Sequence, residues 1–156
     1  METMPKILVV QGANMNWLGK RQPEHYGSTS AAELDAMIRR HAEAKGYEVD
    51  IFYTNTEGAA IDRIYQAVEA GVDALVMNPA GFTFNGYALA DTVRSTRIPY
   101  VEVHVSNLYA RYPKEMTSIP CARLAAIVRE IPTKRYGFSC LIRFANCIGL
   151  LRIFGL

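Results

Sequence analysis

The chain has 156 residues, of which half are hydrophobic and 21% charged, and a formal net charge of +2. That length and composition fit one domain, residues 1–156, with a substantial core. So small a charge, without any basic run interleaved with aromatics, argues against nucleic-acid and anionic-membrane partners, and no apolar run approaches the roughly 20 residues of a membrane span.

Residues 7–11 are an apolar run that predicts a buried strand. It ends at Gly12, and a long polar segment follows with Asn14, Asn16, Lys20, Arg21, Glu24, His25 and Tyr26. Connections in compact domains usually take about 4–6 residues. A longer one, punctuated by Gly19, Pro23 and Gly27 and holding Trp17 and Tyr26, predicts an ordered functional loop with hinges. Ser30-Ala-Ala-Glu33 reads as a capping box. Leu34, Met37, Ile38 and Ala42 follow at helical spacing, and Gly46 stops the helix. Residues 48–53 alternate around Val49, Ile51 and Tyr53, which predicts a second strand. A turn over 54–58 leads into a second helix with Ile61, Ile64, Tyr65 and Val68 on one face, ended by Gly71.

Residues 74–77 predict a third strand, stopping at Asn78-Pro79-Ala80-Gly81. A third helix is expected from Asn85 or Gly86 to about Thr96, and a fourth strand over 100–105 after Pro99. A polar stretch covers 106–118. A fourth helix is expected over 120–131 with Leu124, Ile127, Val128 and Ile131, broken by Pro132; the tail 136–156 is apolar, interrupted by Arg143 and Arg152.

Strands that alternate with helices predict a parallel sheet covered on both faces. The expected fold is α/β, a flavodoxin-like doubly wound parallel sheet. Ligands bind such sheets outside the carboxyl ends of the strands, near the switch in strand order. Three polar clusters fall there: residues 12–26, 78–85 and 102–111. No GxGxxG or Walker-A loop follows the first strand, which argues against a dinucleotide or nucleoside triphosphate.

Arg21 and Tyr26 share the first loop. A tyrosine titrates near pH ~10 and is a poor base unless a cation stabilises its phenolate; a guanidinium, always charged, is a suitable one. The plain reading of the same pair is a solvated loop cation and a surface aromatic. Glu102 and His104, two apart on a strand, share a face. A carboxylate there fixes the imidazole's tautomer and suits it to general acid work; the plain reading is a hydrogen-bonded polar pair at a strand end. Asn14 and Asn78 follow strands and could orient a substrate or a water, but Asn is also a common turn residue. Ser106 could offer its N–H and hydroxyl to a carboxylate. Cys121, Cys140 and Cys147 form no CxxC pair and read as reduced thiols. Three scattered His residues without HExxH predict no metal site. An N-terminus of Met-Glu-Thr-Met-Pro-Lys is no signal peptide, so a cytoplasmic location is expected.

Taken together, several co-linear segments resemble the type II 3-dehydroquinate dehydratase family. They are Gly12-Ala-Asn14-Met-Asn16-Trp-Leu18-Gly19, Arg21-Gln-Pro23-Glu-His-Tyr26-Gly27, Asn55-Thr-Glu57-Gly58-Ala-Ala-Ile61-Asp62, Asn78-Pro79-Ala-Gly81-Phe-Thr83 through Ala88-Leu89-Ala-Asp91, and Val101-Glu102-Val103-His104-Val-Ser106-Asn107 through Ala110-Arg111. The resemblance implies a hydro-lyase of the shikimate pathway or of quinate catabolism. It would carry out a cofactor-free anti elimination of water from 3-dehydroquinate, giving 3-dehydroshikimate through an enolate. By position, Tyr26 matches the base, Arg21 the residue that holds it as phenolate, and Asn14 the holder of a water that stabilises the enolate. His104 matches the acid for the leaving hydroxyl, oriented by Glu102. Asn78, Val105, Ser106 and Arg111 match the substrate site, and Asp91 a residue that reaches a neighbouring subunit's site. The family assembles as dodecamers built from trimers, and the loop at residues 19–28 matches its lid.

Two positions depart from the family pattern. A histidine that contacts substrate hydroxyls falls on Phe84, and a substrate-binding arginine falls on Glu115, beside Lys114. The Gly-rich last helix is replaced around Arg129-Glu130-Ile131-Pro132, so residues 113–156 form a diverged C-terminal region. The proton-transfer set is kept while the recognition set is altered. A lyase or isomerase acting on a related, less hydroxylated cyclic keto acid is therefore a second reading. A non-catalytic ligand sensor on the same scaffold is a third.

Overall fold

The computed structural model describes residues 4–105 and the backbone of Ile127 and Val128. In chain order it comprises β1 (Lys6–Ala13), a 3-10 turn (Met15–Trp17), α1 (Pro23–Tyr26), α2 (Ala31–Lys45), β2 (Glu48–Tyr53), α3 (Glu57–Glu69) and β3 (Ala74–Ala80). A second 3-10 turn (Gly81–Phe84), α4 (Tyr87–Thr96), β4 (Tyr100–Val103) and β5 (Ile127–Val128) follow. All strand pairs are parallel, and the sheet order is β2-β1-β3-β4-β5. The order reverses between β1 and β3, which makes their carboxyl ends the switch point of a doubly wound fold. The expected fold class holds.

Strand periodicity divides the core into two layers. Ile7 and Val9, with Ala74, Val76, Val101 and Val103, face α2 through Leu34 and Ile38. Leu8 and Val10, with Leu75, Met77 and Tyr100, face α3 and α4 through Ala60, Ile64, Ala67, Leu89 and Val93. Near-continuous apolar strands are what burial on both faces demands.

The helices start and stop for local reasons. Ser30 Oγ accepts from the Glu33 N–H at 3.3 Å, and Glu33 Oε2 accepts from the Ser30 N–H at 2.8 Å, so the capping box is closed. Gly46 ends α2 at φ 74°, in the left-handed region. Between the neighbouring helices α3 and α4, Glu57 at the start of α3 accepts from the Leu89 N–H at 2.9 Å. That places a carboxylate on the first turn of α4, where exposed N–H groups and the helix dipole favour it.

Several expectations are corrected. β1 and β3 run on to Ala13 and Ala80, so Asn78-Pro79-Ala80 lies in a strand and not in a turn. The first loop contains two short helical turns. Tyr65 does not join the buried face of α3; it is 43% exposed and lies near Ser95 of α4. Ile127 and Val128, assigned by spacing to a helix over 120–131, instead form β5 against β4. Both are β-branched and suit a strand as well as a helix face. β4 ends at Val103, leaving His104 just beyond it. Cys121, Cys140, Cys147 and the apolar tail lie outside the described residues.

Gly12 is where β1 comes closest to β3. A Cβ on Gly12 would sit 2.7 Å from the Pro79 carbonyl carbon and 2.9 Å from Asn78 O, and backbone cannot swing aside as a side-chain tip can. Gly12→Ala should lower the melting temperature by several degrees, about what 1–3 kcal/mol of overpacking gives. A thermal melt equal to wild type would show that the strands part at no cost. Ser30→Ala should lower it by about 3 °C at pH 7. The Ser30 N–H and hydroxyl hold the Glu33 carboxyl below its usual range. The contribution is thus present above the unfolded value near ~4.3 and is lost as pH falls through the lower folded value. The difference between the two proteins should narrow in melts taken toward pH ~3.

Candidate active site

The carboxyl ends of β1, β3 and β4 bring the polar clusters to one rim of the sheet. At the end of β1, Asn14 adopts φ 69°, ψ 5°, a left-handed conformation that asparagine tolerates better than most residues. Its N–H donates to Asn55 Oδ1 at 2.7 Å, so the turn before α3 braces the turn after β1. The Asn14 side chain is exposed, while Met15 and Leu18, which follow it, are buried and anchor the loop on the α2 layer.

Arg21 and Tyr26 come together across α1. Gln22 at φ 33° and Pro23 at the first helical position turn the chain tightly. That turn lets Arg21 Nη2 donate to Tyr26 Oη at 3.1 Å, with the guanidinium carbon 4.3 Å from the ring centre. Gly27, at φ 75°, closes α1, and Gly19, at φ 82°, precedes it. Tyr26 packs partly buried against the α2 layer. The charged donor at its oxygen is stronger toward a phenolate than toward a phenol. Tyr53, at the end of β2, has the opposite surroundings. Burial, then its hydrogen bond to Asp35 at 2.8 Å and that carboxylate's charge, push its phenol well above the ordinary value. Of these two tyrosines, Tyr26 has a guanidinium at its oxygen and Tyr53 a carboxylate.

At the end of β3, Asn78 is 2% exposed. Its Oδ1 accepts from the Ala80 N–H at 3.2 Å, and its Nδ2 points to Met15 Sδ at 3.4 Å. Ala80 is held at φ 48°, ψ −113°, a conformation that only glycine adopts freely. The Asn78 contact is what clamps it there. Gln11, opposite Asn78 in register, has both amide atoms buried without a hydrogen-bond partner, as does the hydroxyl of Thr83. Such orphaned groups cost about 1–3 kcal/mol each; Gln11 lies on β1 and Thr83 in the turn that follows β3, on either side of the switch point.

At β4, Glu102 is fully buried. Its Oε1 lies 2.6 Å from His104 Nε2, and its Oε2 accepts from the Tyr100 hydroxyl at 2.9 Å. The expected Glu102–His104 pair is therefore formed, and a carboxylate on Nε2 orients the ring. Tyr100 was not singled out by the sequence pattern. The signal was present, because a period of two puts residues 100, 102 and 104 on one face. Asn55 was likewise read only as a turn residue.

Asp91 stands apart on α4, exposed and paired with Arg94 at 3.1 Å. Phe84 is 46% exposed at the end of the turn between β3 and α4. Val105 is half-buried after His104. Ser106, Arg111, Lys114 and Glu115 lie outside the described residues. Among the described residues no group of His, Cys, Asp and Glu could hold a metal ion, and no helix is long and apolar enough to cross a membrane.

The site can thus present a tyrosine oxygen under a guanidinium, an imidazole backed by a buried carboxylate, and asparagines at the switch point. Comparison with known proteins points the same way. The family model "Dehydroquinase class II" matches residues 5–139. The chain is 46% identical over 108 residues to a 3-dehydroquinate dehydratase of Syntrophotalea carbinolica, covering 69% of this chain and 73% of that protein. It is 43% identical over 122 residues to catabolic 3-dehydroquinase 1 of Neosartorya fischeri, covering 78% and 81%. Among solved structures, a type II dehydroquinase from Butyrivibrio crossotus superposes with a TM-score of 0.80 at 32% identity, over 96% of this chain and 98% of that one. This chain belongs to the class II dehydroquinase family.

Proposed function

We propose that the chain is a hydro-lyase that removes water from 3-dehydroquinate to give 3-dehydroshikimate, by anti elimination through an enolate and without a cofactor. The observation that carries this reading is the Arg21 Nη2 to Tyr26 Oη hydrogen bond of 3.1 Å. Removing a proton beside a ketone needs a base, a stabiliser for the enolate oxygen and an acid for the leaving group. Tyr26, with Arg21 on its oxygen, takes the proton. Asn14 holds a water against the enolate oxygen. His104, oriented by Glu102, protonates the departing hydroxyl. Asn78, with Val105, Ser106 and Arg111, binds the substrate's carboxylate and hydroxyls. A mere binder has no use for a guanidinium placed on a tyrosine oxygen, which argues against the sensor reading.

Residues 19–28 close over the site as a lid, which excludes water and strengthens each charge interaction inside. The chain works as a single domain in the cytoplasm and assembles as a dodecamer built from trimers, with Asp91 reaching a neighbouring subunit's site. The exposed position of Asp91, 77% for its side chain, leaves it available for such a contact. The same reaction serves biosynthesis of aromatic amino acids and breakdown of quinate.

Phe84 favours a second reading, in which the preferred substrate is a less hydroxylated cyclic keto acid. A phenyl ring cannot donate to a hydroxyl, and a buried hydroxyl left unpaired costs about 1–3 kcal/mol. A panel of ring acids with 3-dehydroquinate as reference separates the two readings: turnover of an analogue lacking a hydroxyl, with none of 3-dehydroquinate, selects the second.

With 3-dehydroquinate, the wild-type protein should generate the ultraviolet absorbance of a conjugated enone. Tyr26→Phe should lower kcat by roughly 10²–10⁴-fold while KM stays within about threefold, since the ring and its packing remain. Turnover by the variant at the wild-type rate would remove Tyr26 from the chemistry.

A further inference from the structure

Outside the proton-transfer pairs, the described residues hold a second built-in connection to the site: the buried hydroxyl of Tyr100. The Tyr100 ring is 6% exposed and packs with Leu89 and Val93 of α4 in the core layer formed by α3 and α4. Packing alone would be served as well by phenylalanine. The hydroxyl, however, donates to Glu102 Oε2 at 2.9 Å, and the other carboxylate oxygen, Oε1, meets His104 Nε2 at 2.6 Å. The three residues follow the period of the strand, so one backbone sets all three side chains.

We infer that Tyr100 is a positioning residue for the reaction: its hydroxyl fixes the plane of the Glu102 carboxylate, and through it the orientation and tautomer of His104. This rests on the role given to His104 above. The torsion of a glutamate's terminal group is broad and roughly two-fold. One hydrogen bond to a ring at a strand end leaves that torsion loosely set, whereas donors at both oxygens define it. Glu102 is fully buried, and a buried carboxylate oxygen without a donor is costly. Without the tyrosine hydroxyl, Oε2 loses a donor that the packed Leu89 and Val93 side chains cannot replace. The carboxylate then turns to share its remaining donor, and Oε1 leaves its line with Nε2. A carboxylate only accepts, so the line it holds is an Nε2–H donated to Oε1.

The test is Tyr100→Phe, alone and combined with Glu102→Gln, in the full chain. Tyr100→Phe should lower kcat for 3-dehydroquinate about tenfold, the loss expected for one hydrogen bond to a charged group, with KM within about twofold. In protein labelled with 15N-histidine, the Nε2–H resonance of His104, assigned by its loss in His104→Gln, should move away from its strongly hydrogen-bonded position. In the Glu102→Gln background the same substitution should cost little more, because the two residues act as one unit. The inference is overturned if the resonance stays in place, if KM rises and not kcat, or if the tenfold loss appears in full in the Glu102→Gln background. A wild-type protein without turnover of 3-dehydroquinate would overturn the reaction assigned above; the resonance of His104 still decides whether Tyr100 positions it. A melting temperature for each variant separates a loosened core, which lowers stability and leaves the resonance unmoved, from a released carboxylate.

Discussion

The close pairing of β1 with β3 is the constraint from which the site follows. The two strands stay in register from Ile7 opposite Ala74 to Ala13 opposite Ala80. They therefore extend past β4, which pairs with β3 only from Leu75 to Met77. That extra length carries Asn14 out to the exposed rim and leaves Asn78 buried just beneath it, at the point where strand order reverses. It is possible only because residue 12 has no Cβ, since Pro79 occupies the space where one would be. The same approach forces the backbone beyond it into unusual conformations, left-handed at Asn14 and at positive φ at Ala80. Each is held by one asparagine, Asn55 bonding the first and Asn78 the second. Strain of about 1–3 kcal/mol per residue persists only where the surroundings over-determine it. Here the determining groups are polar side chains that border the site.

Much of this was readable from residues alone. The apolar strands, the capping box at Ser30, the stop at Gly46 and the Glu102–His104 pair rest on local rules: period two, period 3.6, and the hydrogen-bonding of a serine and a glutamate three apart. Local rules fail where a partner distant in sequence decides. Pro79 ends a strand on propensity grounds, yet β1 pairs alongside it and carries β3 to Ala80. Ile127 and Val128 suit a helix face or a strand equally, and the free edge of β4 selects the strand. Tyr65 sits at helical spacing from Ile61 but stays 43% exposed, its hydroxyl reaching Ser95 at the rim of the contact between α3 and α4. Asn55 and Tyr100 escaped notice for a similar reason. Asn55 bonds a residue 41 positions away, which spacing does not display; for Tyr100, spacing gives the shared face with Glu102 but not the hydrogen bond between them.

The two proposed proton-transfer pairs also differ in how their charge is managed. Arg21 and Tyr26 are half-buried on a loop, so the guanidinium keeps contact with water and pairing it with the tyrosine oxygen costs little desolvation. Glu102 is fully buried, and the cost of taking a carboxylate out of water is offset only if both its oxygens are bonded. A pair carried on a loop can shift with that loop. A buried carboxylate fixed at both ends cannot. The arrangement therefore combines one adjustable partner with one rigid partner.

That division also matches the two layers of the core. Tyr26 rests on the α2 layer with Met15 and Leu18, whereas Tyr100 is rooted in the layer of α3 and α4. The proposed base and the support of the proposed acid thus come from opposite faces of one sheet, and they meet only at its carboxyl rim. An anti elimination needs its base and its acid on opposite faces of the substrate ring. In the proposed reaction, a ring seated at the rim, between the loop after β1 and the end of β4, would be approached from one layer by the tyrosine and from the other by the imidazole. The stereochemistry would then follow from the sheet itself: the alternation of side chains along parallel strands separates the two groups, and the switch point between β1 and β3 leaves the space between them.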